Sequence, residues 1–119
     1  MPCSVLVVDD DRDFRGLASR TLAGMGLAVV GEAESYAAAT DAAERLRPDA
    51  ILVDVGLPDG DGLDLAQRMA ALPWSPRVVI TSSVPEITTD AAARELGAIG
   101  FVAKQDLVDG RLRRMLAGD

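Results

Sequence analysis

The stretch "SVLVVDDDRDF", residues 4–14, places four consecutive aliphatic residues directly before three consecutive aspartates. An apolar run without alternation is typical of a strand that is buried on both faces, as in a parallel sheet. Asp9, Asp10 and Asp11 therefore crowd negative charge at the carboxyl end of this strand. Because like charges repel at such short spacing, this run raises the question of which positive charge compensates it.

Further aliphatic runs follow, and segments with helical spacing separate them. The five predicted strands lie at residues 5–8, 27–31, 50–53, 77–80 and 99–103. A first helix ending at Gly26 is predicted by side chains that recur at steps of three and four, namely Phe14, Leu17, Thr21, Leu22 and Met25.

Four more helices complete the alternation. The second is predicted to begin after Ser35 as its N-cap and to stop before Pro48, and the third to cover residues 61–72. The segment 86–96 is rich in alanine and has a narrow apolar stripe, so we expect a helix that packs lightly. The last helix is predicted from a stripe formed by Val108, Leu112, Met115 and Leu116.

Five strands alternating with five helices indicate a (βα)5 arrangement. The βαβ crossovers require a parallel sheet with helices on both faces, which is the doubly wound α/β class. A length of 119 residues, with 49% hydrophobic and 26% charged residues, fits one domain over residues 1–119. Ligands of such sheets bind outside the carboxyl ends of the strands, so functional residues should follow the strands.

The charge balance disfavours several classes of partner. A formal net charge of −7 argues against direct binding of nucleic acid or of an anionic membrane by this domain. No apolar run approaches the roughly 20 residues that span a bilayer, and the first strand begins too soon after Met1 for a signal peptide. Cys3 is the only cysteine, so no internal disulfide is expected. We expect a cytoplasmic protein.

Histidine is absent, and this limits the chemistry that the chain can perform. A Ser/His/Asp triad, a histidine-ligated zinc site and a histidine phosphocarrier are all excluded. Any reaction must therefore use carboxylates, hydroxyls and lysine.

Side chains suited to such chemistry follow four of the five strands. The first strand is followed by Asp9–Asp11, the third by Asp54, the fourth by Thr81–Ser83 and the fifth by Lys104. Two or three carboxylates with a backbone carbonyl suit Mg2+, which prefers oxygen ligands. A carboxylate beside such a cation can attack phosphorus and form an aspartyl phosphate, while lysine and a hydroxyl hold the phosphoryl oxygens.

Four motifs resemble the receiver domain of bacterial two-component response regulators: "VLVVDDD" (5–11), "ILVDVGLPDGDGLDL" (51–65), "VVITSS" (78–83) and "GFVAK" (100–104). The resemblance covers essentially the whole chain. It implies a flavodoxin-like fold whose parallel sheet has the strand order 2-1-3-4-5.

The resemblance also implies roles for individual residues. Asp54 would accept the phosphoryl group, and Lys104 would pair with it. Asp10 and Asp54 would ligate Mg2+ directly, and Asp9 would act largely through a metal-bound water. The backbone carbonyl of Gly56 would be a further ligand.

A switch is implied as well. The switch hydroxyl is Ser82, 22 residues before Lys104, with Thr81 as second choice. Phe101 occupies the aromatic position that reorients on activation in many receivers. The fourth helix, fifth strand and fifth helix would then change their shared surface.

Family partners follow from the same resemblance. They are a sensor histidine kinase and an output domain or effector protein, and a homodimer through the switch surface is compatible with it. The loop "DVGLPDGDGL" (54–63) and the segment "RVVITSS" (77–83) most resemble regulators with a helix-turn-helix output, which would control transcription from a DNA-binding domain outside this chain. The alternative is a free-standing receiver that acts by protein–protein interaction or phosphotransfer.

Two departures from the family pattern concern the loops. Many receivers carry a cis proline after the lysine, whereas Gln105 here is expected to follow a trans bond. Gly56 and Val84 offer no polar side chain that could orient a water toward the phosphoryl group. In the loop "PDGDG", residues 58–62, Gly60 or Gly62 is expected to supply a backbone conformation closed to other residues.

Three other classes of protein share part of this pattern. A Mg2+-dependent haloacid dehalogenase-type phosphatase is suggested by the pair Asp9 and Asp11, but Asp13 stands where such enzymes usually have Thr or Val. A calcium loop at 59–62 lacks an acidic residue at Leu63 and the bidentate glutamate at Ala70. A flavin protein is disfavoured because acidic strand ends repel a phosphate.

Overall fold

One parallel sheet organises the molecule. The computed structural model describes residues 2–118, so Met1 and Asp119 of the predicted domain lie outside the described residues. The strands are β1 (Ser4–Val8), β2 (Ala28–Ala33), β3 (Ala50–Asp54), β4 (Arg77–Ser82) and β5 (Gly100–Ala103). All pairings are parallel and the spatial order is β2-β1-β3-β4-β5, which confirms the predicted 2-1-3-4-5 flavodoxin-like sheet.

Five helices alternate with the strands and begin at polar caps. They are α1 (Arg12–Gly24), α2 (Tyr36–Leu46), α3 (Gly62–Ala70), α4 (Asp90–Glu95) and α5 (Gly110–Ala117). In each, the side chain of the preceding residue accepts a backbone N–H from the first turn, and these caps are Asp11, Ser35, Asp61, Thr89 and Asp109. Local capping therefore sets where each helix begins.

The two faces of the sheet bury separate cores. Successive strand residues point to opposite faces, so Leu6 and Val8 pack toward α2 and α3, while Val5 and Val7 pack toward α1 and α5. All four of these β1 side chains are fully buried, as the unbroken apolar run predicts. The carboxyl ends of the strands consequently emerge between two packed layers.

Three helical predictions need correction. Val108 is not part of the stripe of the last helix, because Asp109 caps the helix and leaves Val108 outside it, 76% exposed. Leu17 lies on α1 but is 48% exposed, because the buried residues of that helix, Phe14, Ala18 and Leu22, follow one another at steps of four and leave Leu17 off their face. The helix predicted over 86–96 is shorter than expected and consists of α4 alone. Thr89 is its N-cap, so the first helical residue is Asp90.

A short antiparallel hairpin, Gly56–Leu57 with Gly60–Asp61, follows β3 and was not predicted. Gly60 and Gly62 are not needed for the special backbone conformation that was expected of one of them. Neither Gly60 nor Gly62 has a positive φ, and both are instead required by close approach. A Cβ on Gly62 would overlap the backbone carbonyl of Asp54 and lie 2.5 Å from Val55 Cα.

Every peptide bond within residues 2–118 is trans, including the one before Gln105. Over the same residues, no helix combines the length and the apolar character that crossing a membrane requires.

Substituting Gly62→Ala is expected to lower the free energy of unfolding by about 1–3 kcal/mol, because a methyl group has no room against the β3 backbone. Gly24→Ala is the matched control, since nothing lies within 4 Å of its added Cβ, and it should be neutral or stabilising by up to about 1 kcal/mol. Urea denaturation measures both. Equal stabilities for the two variants would contradict the close-approach explanation.

Candidate functional site at the carboxyl ends of the strands

A cleft of about 450 Å³ opens where β1, β3, β4 and β5 end. The residues that line it include five of those predicted from the sequence, namely Asp10, Asp54, Gly56, Ser82 and Lys104. Asp9 lies beneath, fully buried. The parallel sheet thus gathers residues from four separate strand ends at one place.

Asp9 is fixed by short contacts on every side. Its Oδ1 accepts a hydrogen bond from the Asp11 N–H at 2.9 Å, and its backbone carbonyl accepts one from Arg15 Nη1 at 2.7 Å. Its Oδ2 lies 2.6 Å from Lys104 Nζ in an ion pair, yet among the described residues no donor is aligned for a hydrogen bond to this oxygen. Both carboxylate oxygens of Asp9 are therefore engaged by protein groups, Oδ1 by the hydrogen bond and Oδ2 by the ion pair.

Asp54 stands at the end of β3 with its carboxylate facing the cleft. Its Oδ2 accepts a hydrogen bond from the Gly56 N–H at 3.2 Å, and its Oδ1 lies 3.4 Å from Lys104 Nζ. The residue is 5% exposed. Lys104 is thus shared between two carboxylates, and the Asp54 contact is the longer of the two.

The electrostatics of the cleft follow from this sharing. Burial raises the pKa of Asp54 above its ordinary value, and the charge of Asp9 raises it further against the opposing effects of Lys104 and the Gly56 N–H. Burial alone would lower the pKa of Lys104, but the carboxylates of Asp9 and Asp54 outweigh it, and the pKa is raised. The ammonium therefore stays charged while the site keeps an excess of negative charge.

The three aspartates predicted to surround a metal do come together. Asp9, Asp10 and Asp54 each place an oxygen within 4.8 Å of the others. The set consists of oxygen donors only, with two of the three residues buried, which is the donor chemistry that Mg2+ prefers.

The two candidate hydroxyls differ in position. Ser82, the last residue of β4, lines the cleft, and its Oγ accepts the Val84 N–H at 3.0 Å. Thr81 is 2% exposed and pairs in register with Asp54 across the sheet, but it is not among the cleft-lining residues. The geometry therefore favours Ser82 as the hydroxyl that can reach a ligand bound at Asp54.

Phe101 lies in β5 and is packed into the core at 9% exposure. Its N–H donates to Asp90 Oδ1 at 2.9 Å, and its carbonyl accepts from Arg111 Nη1 at 3.1 Å. Asp90 and Arg111 also form an ion pair with each other. One pair of side chains therefore joins α4, β5 and α5 at Phe101.

Sequence reasoning missed three residues of the site. The ring of Phe14 lies under Lys104, with Nζ 4.3 Å from the ring centroid, and Arg15 holds the carbonyl of Asp9. Ile87 adds an exposed apolar side chain to the rim of the cleft. Phe14 and Arg15 belong to α1, and nothing in their helical spacing signals a role at the cleft.

Comparison with known proteins identifies the protein family to which this site belongs. The family model of the response regulator receiver domain matches residues 5–116. The chain belongs to this family. Receiver domains of two-component response regulators are signalling modules that are phosphorylated on an aspartate and bind Mg2+ at an acidic pocket. They work with histidine kinases and output domains.

Three similar proteins illustrate the range of the family. A protein-glutamate methylesterase/protein-glutamine glutaminase of Burkholderia thailandensis is 38% identical over 103 residues, which cover 84% of this chain and 29% of that protein. A LuxR-family two-component response regulator from Aurantimonas superposes with a TM-score of 0.83 at 26% identity, covering 99% of this chain and 87% of that one. A Burkholderia pseudomallei response regulator, solved with a phosphorylated aspartic acid and a calcium ion, gives a TM-score of 0.81 at 29% identity, with coverages of 96% and 66%.

This receiver chain spans about 30% of the length of the curated relatives that it matches with protein-glutamate methylesterase names. The similarity to those proteins is therefore a similarity to one part of them. Family membership decides against the phosphatase, calcium-loop and flavin alternatives for this chain.

Asp54→Asn is expected to raise the free energy of unfolding of the metal-free receiver at about pH 7, by an amount of the order of 1 kcal/mol. A raised pKa means that ionised Asp54 destabilises the folded state above that pKa, and this penalty disappears as the pH falls to the ordinary value of 3.8. Urea denaturation in the presence of EDTA measures the difference. The control is Asp41→Asn on the exposed face of α2, which should change stability little; a destabilised Asp54→Asn protein would contradict the electrostatic account.

Asp90→Asn tests the link between α4, β5 and α5. Hydrogen bonding to Arg111, followed by the Phe101 N–H, lowers the pKa of Asp90, so its stabilisation is present above 3.8 and is lost as the pH falls further. Since the pair is partly solvent-exposed and screened, the variant should lose about 0.5–1 kcal/mol at about pH 7, and its difference from the parent protein should shrink as the pH falls below 3.8. A difference that persists in acid would show that the charge is not responsible.

Proposed function

We propose that this chain, residues 1–119, is one receiver domain that works as a phosphorylation-activated switch with Asp54 as the phosphoryl acceptor. The observation that carries the proposal is the position of the Asp54 carboxylate. It faces the cleft, one oxygen is oriented by the Gly56 N–H, and Lys104 lies 3.4 Å from the other. The chain is a signalling module and catalyses only its own phosphorylation and dephosphorylation.

The proposed metal ligands are the carboxylates of Asp10 and Asp54 and the backbone carbonyl of Gly56, with Asp9 acting through water. The clustered carboxylate oxygens of the three aspartates support this set. Bound Mg2+ would neutralise charge on the transferring phosphoryl group and offset the repulsion among the aspartates. Each of these residues is held by strand β1, strand β3 or the hairpin that follows β3.

In the proposed transfer, an Asp54 carboxylate oxygen attacks phosphorus as the bond from phosphorus to the kinase histidine nitrogen breaks. Lys104 then pairs with a phosphoryl oxygen, because its ammonium is already between the two carboxylates. The raised pKa of this lysine keeps it charged for that contact.

The proposed switch uses Ser82 as the hydroxyl that moves toward the phosphoryl group, with Thr81 as the second choice. Ser82 must reorient from its contact with the Val84 N–H. Phe101 would fill the space that Ser82 leaves, and the surface of α4, β5 and α5 would change with it. The short α4, with six residues and one buried alanine, is the element with least packing to overcome.

The proposed output is control of transcription through a DNA-binding domain outside this chain, in a cytoplasmic protein. Acid-rich composition supports the absence of direct nucleic-acid binding by the receiver itself. A sensor histidine kinase is the proposed phosphoryl donor, and a homodimer through α4, β5 and α5 is a proposed active form. The second candidate is a free-standing receiver that acts on an effector protein.

The acceptor assignment is tested by labelling with acetyl phosphate and Mg2+. The parent protein should gain one phosphoryl group, detected by intact-mass spectrometry, and Asp54→Asn should gain none, because the attacking oxygen is lost. Asp41→Asn, which alters an exposed carboxylate of α2, should label as the parent does. Labelling of the Asp54→Asn protein at another residue would refute the assignment, and continuous hydrolysis of p-nitrophenyl phosphate would favour a phosphatase instead.

A further inference from the structure

We propose that Asp59 is a positioning residue that fixes the hairpin after β3 by binding the amino end of α2. The inference rests on the proposed function, since its consequence concerns the proposed ligand Gly56 at the base of that hairpin. Asp59 stands at the turn between Leu57 and Gly60, three residues from Gly56 along the chain.

Asp59 makes two hydrogen bonds to a helix that is distant in sequence. Its Oδ1 accepts the Tyr36 N–H at 2.7 Å and its Oδ2 accepts the Ala37 N–H at 3.1 Å. These are the first two N–H groups of α2, which the helix itself cannot satisfy. A carboxylate is also favoured at the positive end of the helix dipole.

The ordinary cap of α2 is already supplied from within the same segment. Ser35 Oγ accepts the Ala38 N–H at 3.1 Å, the third N–H of the helix. Asp59 therefore supplies, from a distant segment, acceptors for the two N–H groups that the Ser35 side chain does not bind. The two caps stabilise the same helix end, but only Asp59 joins that end to the hairpin.

The contact extends beyond the carboxylate. The ring of Tyr36 packs over Gly60, where an added Cβ would lie 2.6 Å from Tyr36 Cδ2. The Tyr36 hydroxyl donates to Asp64 Oδ2 at 2.6 Å and accepts from Arg68 Nη1 at 3.1 Å. The tip of the hairpin is thus seated between α2 and α3.

The hairpin pairs few of its own residues. It contains only two residue pairs, Gly56 with Asp61 and Leu57 with Gly60, and an isolated hairpin is at best marginally stable. Gly56 has no side chain to fix it, and its N–H donates to Asp54. The orientation of the Gly56 peptide therefore depends on both ends of the hairpin, on Asp54 at the base and on Asp59 at the tip.

The experiment compares Asp59→Ala, Asp59→Asn and the matched control Ser35→Ala. Both alanine variants remove a cap from α2, and only Asp59→Ala releases the hairpin. In the metal-free protein, we expect amide hydrogen exchange at Gly56, Leu57 and Gly62 to accelerate about tenfold in Asp59→Ala and to remain unchanged in Ser35→Ala. Asp59→Asn keeps one acceptor oxygen and should restore much of the protection.

Calorimetric titration with Mg2+ gives the second readout. Asp59→Ala should raise the Kd for Mg2+ about three- to tenfold, while Ser35→Ala leaves it unchanged. Unchanged exchange and Kd in Asp59→Ala, or equal changes in Ser35→Ala, would overturn the positioning role.

The two proposals fail in different ways. A parent protein that binds no Mg2+, or whose affinity Asp10→Asn does not weaken, would overturn the proposed metal site. The exchange comparison would still decide whether Asp59 fixes the hairpin, because it uses the metal-free protein.

Discussion

The ammonium of Lys104, shared between the buried carboxylates of Asp9 and Asp54, is the interaction on which the rest of the site depends. It lies 2.6 Å from one carboxylate and 3.4 Å from the other. A single positive charge cannot neutralise both of them together with the neighbouring Asp10, so the folded protein retains a local excess of negative charge. Burial raises the pKa of Asp54, and the neighbouring charge of Asp9 raises it further. Such a site is poised to take up positive charge.

The buried sheet offsets the destabilisation that comes from concentrating these charges. Parallel strands with two fully buried faces hold the ends of β1 and β3 side by side, with Val8 in register with Val53. The apolar residues beneath supply the stability that the charged edge costs. Supporting contacts come from outside the strands as well, from the ring of Phe14 against Lys104 and from Arg15 on the carbonyl of Asp9. The acidic edge is thus held by contacts from the sheet and from α1.

The features that were predictable from the sequence are those set by local pattern. Unbroken aliphatic runs predicted every strand of the sheet, and most of the polar residues predicted to follow the strands line the cleft. Features set by contacts between distant segments were not predictable. Nothing near Asp59 in sequence indicates that it binds α2, 23 residues away, and no spacing rule places Phe14 beneath Lys104. The prediction that Val108 belongs to the apolar stripe of the last helix was wrong for a local reason. Asp109 caps that helix, so the helix begins after Val108.

The ion pair of Asp90 and Arg111 affects whether separate molecules can associate through strand β5. Strand β5 is the outermost on its side, and an outermost strand offers unsatisfied amides and carbonyls that can recruit a strand from another molecule. At Phe101 both backbone groups are occupied, the amide by Asp90 and the carbonyl by Arg111. The two side chains thereby shield this part of the border from sheet-to-sheet polymerisation.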